Sequence, residues 1–111
     1  MNSKFKAVAV DIDGTIAGSD WKISCEAIKA IRNLEAYGIK VILASGNALC
    51  VVKALSRYIG CTGALIAENG GVVEYKGVTK FLGDPSRAKA ALEAIKARYG
   101  QVSESWSNRY R

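Results

Sequence analysis

The 111-residue chain contains no histidine. Ser-His and Cys-His nucleophile pairs and phosphohistidine chemistry are therefore excluded within it. Its cysteines, Cys25, Cys50 and Cys61, have no C-x-x-C spacing, and without histidine a zinc site lacks its usual ligands. Free thiols in a reducing compartment are the expectation. No apolar run approaches the roughly 20 residues of a membrane span. A signal peptide is not expected either, because the apolar stretch after Lys4 and Lys6 ends at Asp11, too short for an h-region. Together these absences point to a cytoplasmic chain with no membrane partner. Low-complexity tracts and internal repeats are missing too, and half of the residues are hydrophobic against 23% charged. That is the profile of one small globular domain.

Acidic residues are the scarcer charge, 10 against 16 Lys and Arg, for a net charge of +6. The cations are dispersed: Lys22, Lys29, Arg32 and Lys40 flank one helical pattern, Lys53 and Arg57 another, Lys76 and Lys80 a hairpin pattern. Only the segment from Lys89 to Arg111 is denser, and aromatic residues do not interleave with it as in single-strand-binding proteins. A nucleic-acid partner is not expected. Solvated faces and attraction for an anionic substrate account for the charge.

Two of the few acids stand together in Ala7-Val8-Ala9-Val10-Asp11-Ile12-Asp13-Gly14-Thr15. Ala7 to Val10 are apolar on both faces, as expected of a buried parallel strand. Residues two apart on a strand share a face, so Asp11 and Asp13 look toward one point if the extended geometry persists. Two carboxylates around a point share either a proton or a cation. With Mg²⁺ between them, Asp11 can attack a phosphorus while Asp13 handles the proton on the leaving oxygen. The competing reading is a turn that merely happens to be acidic.

Downstream, Ser24 is a good N-cap with Glu26 in the first turn, and Ala27, Ile28, Ile31 and Leu34 recur at helical spacing until Gly38. Ile39 to Ala44 read as a second buried strand, followed by Ser45-Gly46-Asn47. A second helix is expected from about Ala48 to Ile59, with Gly60 as its stop. Ala64 to Ala67 form a third strand ending at Glu68-Asn69-Gly70-Gly71. Strand–helix–strand–helix–strand with short connections predicts right-handed crossovers and a parallel, doubly wound sheet. Val72 to Tyr75 and Val78 to Leu82 then pattern as a hairpin around Lys76-Gly77. Asp84-Pro85 predicts a helix start, Ala88, Ala91, Leu92, Ile95 and Tyr99 mark that helix, and Gly100 ends it. Gln101 to Arg111 pattern as one further strand.

Ligands of an open α/β sheet bind beyond the carboxyl ends of its strands. Asp11 and Asp13 follow the first strand, Ser45 the second, and Glu68-Asn69 the third, so all three groups converge on one edge. Ser45 offers a hydroxyl donor, and the Gly46 and Asn47 amides open the next helix, where amides and dipole favour a phosphate. A plain helix cap is the alternative for Ser45.

Asp11-Ile12-Asp13-Gly14-Thr15 resembles motif I of the haloacid dehalogenase-like phosphohydrolases, which carry Asp-x-Asp-Gly-Thr after their first strand. Ile23-Ser24, Ala27-Ile28, Ala30-Ile31-Arg32, Glu35 and Gly38-Ile39 follow in the order of that superfamily's type-IIB members. So do Ser45-Gly46-Asn47, Gly63 and Glu68-Asn69-Gly70-Gly71-Val72. The run is most similar to the archaeal-type phosphoglycolate phosphatases, strongly over the first two thirds of the chain and more loosely beyond. The resemblance implies a Rossmann-like core over residues 1–71 and the start of an α+β cap over residues 72–111. It implies a Mg²⁺-dependent phosphoric monoester hydrolase that converts 2-phosphoglycolate to glycolate and phosphate through an aspartyl-phosphate. Asp11 would be the nucleophile. Asp13 would be the acid–base, offering Mg²⁺ its backbone carbonyl, and Ser45 the phosphate ligand.

Glu68 and Asn69 stay open between a site role and a sharp turn into the cap. The family's phosphate-holding lysine and second acidic pair are not found, which suggests the N-terminal part of a longer enzyme. Gly83-Asp84 resembles the start of the family's Gly-Asp-x-x-x-Asp motif, but position 88 is alanine and Pro85 favours a helix cap. Alternatives are a non-catalytic phosphate- or metal-binding fragment, or a sugar-phosphate phosphatase of the same family. Expected partners are a small phosphorylated metabolite and either a second copy or the missing C-terminal half.

Overall fold

A computed structural model describes residues 4–104. In chain order they form β1 (Ala7–Asp11), α1 (Cys25–Ala36), β2 (Lys40–Ala44), α2 (Leu49–Ile59) and β3 (Leu65–Ala67). A single 3₁₀ turn, Glu68–Gly70, then leads into β4 (Val72–Tyr75), β5 (Val78–Phe81) and α3 (Ser86–Tyr99). The strands make one sheet in the order β1-β2-β3-β4-β5, parallel through β3 and antiparallel in the hairpin. This is the expected α/β architecture. The hairpin hydrogen-bonds to β3 within the same sheet, so the sheet runs without a break across the expected division at 71/72.

Local chemistry sets the element ends. The Ser24 hydroxyl accepts from the Ala27 amide at 3.1 Å and caps α1. Gly60, at φ 103°, ends α2. The Asp84 carboxylate accepts from the Ser86 amide at 3.0 Å and from its hydroxyl at 2.9 Å, so Gly83-Asp84 serves the start of α3. Those two bonds also hold the Asp84 carboxyl below its usual range. Residues 101–104 form no strand, and the remainder of the strand expected over Gln101 to Arg111 lies outside the described residues.

The core joins Val10, Val41, Leu43, Leu65, Ala67 and Val72 to Ile31 of α1 and to Val52 and Ile59 of α2. Register puts those strand residues on one face, because Val10 pairs with Leu43, Leu43 with Leu65, and Ala67 with Val72. Both helices therefore cover that face. Two right-handed crossovers that step the same way along a sheet must lie on the same side. The opposite face carries Ala9, Ile42, Ala44, Ile66 and Val73, none of them in the core cluster. Winding on both faces, expected from the alternation, is thus not seen among the described residues. The expectation of a buried first strand also needs correction. β1 pairs only with β2 among the described residues, leaving Ala7, Ala9 and Asp11 exposed and Val8 and Val10 half-buried.

One close approach draws β3 to β2. The Gly63 amide donates to the Val41 carbonyl at 3.0 Å. A β-carbon at Gly63 would lie 2.5 Å from that oxygen and 2.6 Å from Ile42 Cγ1. Glu35, near the end of α1, clamps the same junction by accepting from the Val41 amide at 2.8 Å, the Thr62 amide at 2.7 Å and the Thr62 hydroxyl at 2.7 Å.

Candidate active site

The site grows out of the turn that follows β1. Ile12 is 2% exposed between the exposed Asp11 and Asp13, so the strand's alternation continues past its last ladder residue. The Ile12 carbonyl then accepts from the amides of Thr15, Ile16 and Ala17 at 3.2, 3.1 and 2.9 Å. Buried Ile16 and Ala17 anchor that tight turn in the core. Two carboxylates are thereby held at the surface by a buried hydrophobic pin.

Register brings the second group alongside. Asp11 pairs with Ala44, the residue before Ser45. The Asn47 carboxamide donates to Asp13 Oδ2 at 2.9 Å and to Ser45 Oγ at 2.8 Å, while the Ser45 hydroxyl lies 3.4 Å from Asp13 Oδ2. Thr15 Oγ1 reaches Asp11 Oδ2 at 3.5 Å, a long contact. The third group closes the edge. Its backbone is latched onto the Ser45 loop, with the Glu68 amide on the Asn47 carbonyl at 2.9 Å and the Asn69 amide on the Ser45 carbonyl at 3.3 Å. The three groups thus converge at the carboxyl ends of the three parallel strands, as expected.

One detail differs from the sequence reading. Helix α2 begins at Leu49, with Ala48 in the cap position, so Ser45 is not its cap and Gly46-Asn47 do not open it. The Asn47 amide instead donates to Ser45 Oγ at 3.0 Å. In addition, Glu68 and Asn69 adopt φ of 50° and 55°, a conformation that side chains rarely take and that concentrates at functional sites. Asn69 Oδ1 would lie 2.8 Å from a β-carbon at position 46, so Gly46 is there to admit the Asn69 side chain. Sequence reasoning missed this packing and the side-chain role of Asn47. The only signal for either was polar amides beside glycine at two strand ends.

Asp11 and Asp13 supply an oxygen-only donor set, which suits a hard dication in kind. No third Asp, Glu, His or Cys joins a metal-holding group among the described residues, so the set falls short in number. Such an ion would complete its shell with water, substrate or further protein oxygens.

Residues 8–104 match the model of the haloacid dehalogenase-like hydrolase family, and the chain belongs to that family. The chain is 45% identical over 94 residues to the phosphoglycolate phosphatase of Methanothermobacter thermautotrophicus, covering 85% of this chain and 42% of that protein. It is 41% identical over 98 residues to that of Archaeoglobus fulgidus, covering 86% and 43%. The solved structure of Thermoplasma acidophilum 0175 superposes with a TM-score of 0.85 at 34% identity, over 96% of this chain and 48% of that one. A haloacid dehalogenase-like hydrolase from Bacillus subtilis superposes at 0.68 and 28% identity, over 85% and 34%. The chain thus spans less than half the length of these relatives.

Proposed function

We propose that the chain carries the nucleophile half of a phosphoric monoester hydrolase acting on a small phosphorylated metabolite, with 2-phosphoglycolate as the leading substrate. The observation that carries this reading is the exposed Asp11–Asp13 pair, with Asp13 hydrogen-bonded to the Ser45–Asn47 loop. The named relatives support the substrate class. Ser45 Oγ and the Gly46 amide hold the phosphate oxygens. An Asp11 carboxylate oxygen attacks phosphorus, the phosphorus–oxygen bond to glycolate breaks, and Asp13 gives its proton to the departing alkoxide. Asp13 then takes a proton from water, whose oxygen attacks the aspartyl-phosphate, releasing phosphate and restoring Asp11. Mg²⁺ is the proposed cofactor, held by the Asp11 carboxylate and the Asp13 carbonyl, and it would neutralise charge on the transferring phosphoryl group.

The whole protein is expected in the cytoplasm. Polypeptide equivalent to the remaining length of the relatives, or else a second copy, would cover the open sheet face and the β1 edge. A second reading is favoured by the absence of a third acidic ligand among the described residues: phosphate or metal binding without turnover in this chain alone. Hydrolysis of 2-phosphoglycolate and p-nitrophenyl phosphate with and without Mg²⁺ separates the two. In the active form, Asp11→Asn should reduce turnover to background and Asp13→Asn should slow it about a hundredfold or more. Near-normal turnover in Asp11→Asn would rule out the mechanism.

A further inference from the structure

Asn47 has no charge and no nucleophile, yet it donates three hydrogen bonds at the site. One carboxamide hydrogen goes to Asp13 Oδ2 at 2.9 Å, the other to Ser45 Oγ at 2.8 Å, and its backbone amide goes to the same Ser45 Oγ at 3.0 Å. A hydroxyl oxygen has two lone pairs and one hydrogen. With both lone pairs of Ser45 taken by Asn47, the hydroxyl can act only as a donor. Ser45 Oγ lies 3.4 Å from Asp13 Oδ2, which is long for an O–H···O bond and leaves its hydrogen open to a better acceptor such as a phosphate oxygen.

The consequence for Asp13 is specific to one oxygen. Oδ2 accepts from Asn47 and faces the Ser45 hydroxyl, so the contacts to the Ser45–Asn47 loop fall on one oxygen and leave Oδ1 outside them. We propose that Asn47 is a positioning residue: it anchors Asp13 through Oδ2, leaves Oδ1 to exchange the proton with the leaving group, and points the Ser45 hydrogen at phosphate. This rests on the acid–base reading of Asp13. It also replaces the expectation that the Asn47 amide binds phosphate, since that amide is already engaged.

Three-bond couplings to Asp13 Cγ in the isotope-labelled 111-residue protein report its χ1 angle. Wild type should show one rotamer. Asn47→Ala should show rotamer averaging at Asp13 with the β1–β3 backbone shifts unchanged. Averaging in wild type, or a single rotamer retained in Asn47→Ala, overturns the proposal. If Asn47→Ala disturbs the sheet, Asp13→Ala reads the same contact from the other side: the Asn47 carboxamide protons should move upfield, and unmoved resonances overturn it. In the active form, Asn47→Ala should lower kcat by roughly ten- to a hundredfold with KM nearly unchanged, as for a misplaced catalytic group. A raised KM with normal kcat would make Asn47 a phosphate ligand and end the positioning role. Failure of the acid–base reading is separate, and would appear as normal turnover in Asp13→Asn.

Discussion

Replacing Gly63 by alanine tests how the site is assembled, because this glycine lets β3 approach β2 and bring Glu68 and Asn69 against the Ser45 loop. The new β-carbon would stand 2.5 Å from the Val41 carbonyl oxygen, 2.8 Å from the carbonyl carbon and 2.6 Å from Ile42 Cγ1. Two of these three atoms are backbone of a central strand and cannot rotate away. Relief requires the strands to part, which also weakens the 3.0 Å bond from the Gly63 amide to the Val41 carbonyl. Overpacking of this kind costs about 1–3 kcal/mol. The strained hydrogen bond adds about 1 kcal/mol, for a loss of roughly 2–4 kcal/mol against the 5–15 typical of whole domains. Urea unfolding followed by circular dichroism, at low micromolar protein, should show a midpoint lower by about 1–2 M with an unchanged slope. A midpoint within about 0.2 M of wild type would mean that the β2–β3 approach is not what fixes this end of the sheet.

Acid should destabilise the fold through two carboxylates. Burial works against Glu35 ionising, but the Val41 amide and the Thr62 hydroxyl and amide outweigh it and lower its pKa, while the Lys53 ammonium at 2.7 Å lowers that of Glu74. Groups depressed in the folded state contribute stability above their unfolded pKa, about 4.3, and lose it as pH falls through the folded values. The urea midpoint should therefore hold from pH 7 to about 5 and fall below about 4, with Glu35→Gln lowering the plateau and flattening the fall. A flat profile from pH 7 to 3 would contradict these contacts. The exposed β1 edge and the half-buried apolar face beside it should make the chain self-associate, with light scattering that rises with concentration. Ala9→Asp, which charges the middle of that edge strand, should suppress the rise, and a wild-type chain that stays monomeric at high concentration would argue against an open surface.

The carboxylate pair was legible from sequence because a period of two survives the end of a strand: Ile12 goes inward and both neighbours go outward, whatever else the fold does. Helix ends were legible for similarly local reasons, with Ser24 supplying a cap oxygen and Gly60 a left-handed residue. The identity of the edge strand was not. Ala7-Val8-Ala9-Val10 is apolar on both faces, and only its set of neighbours decides whether a strand is buried or bare. Likewise, alternating strands and helices predict crossovers, but the face they cover depends on the order in which the strands line up.

What the sequence by itself determined was which groups reach the carboxyl edge, since three strand ends in parallel must deliver their next residues to one side. The partners of those groups were decided by tertiary structure alone. Asn47 lies 34 positions from Asp13, and Asn69 packs where Gly46 has no side chain. Such contacts depend on register and on ångström-scale spacing between strands, which no local pattern of residue types encodes.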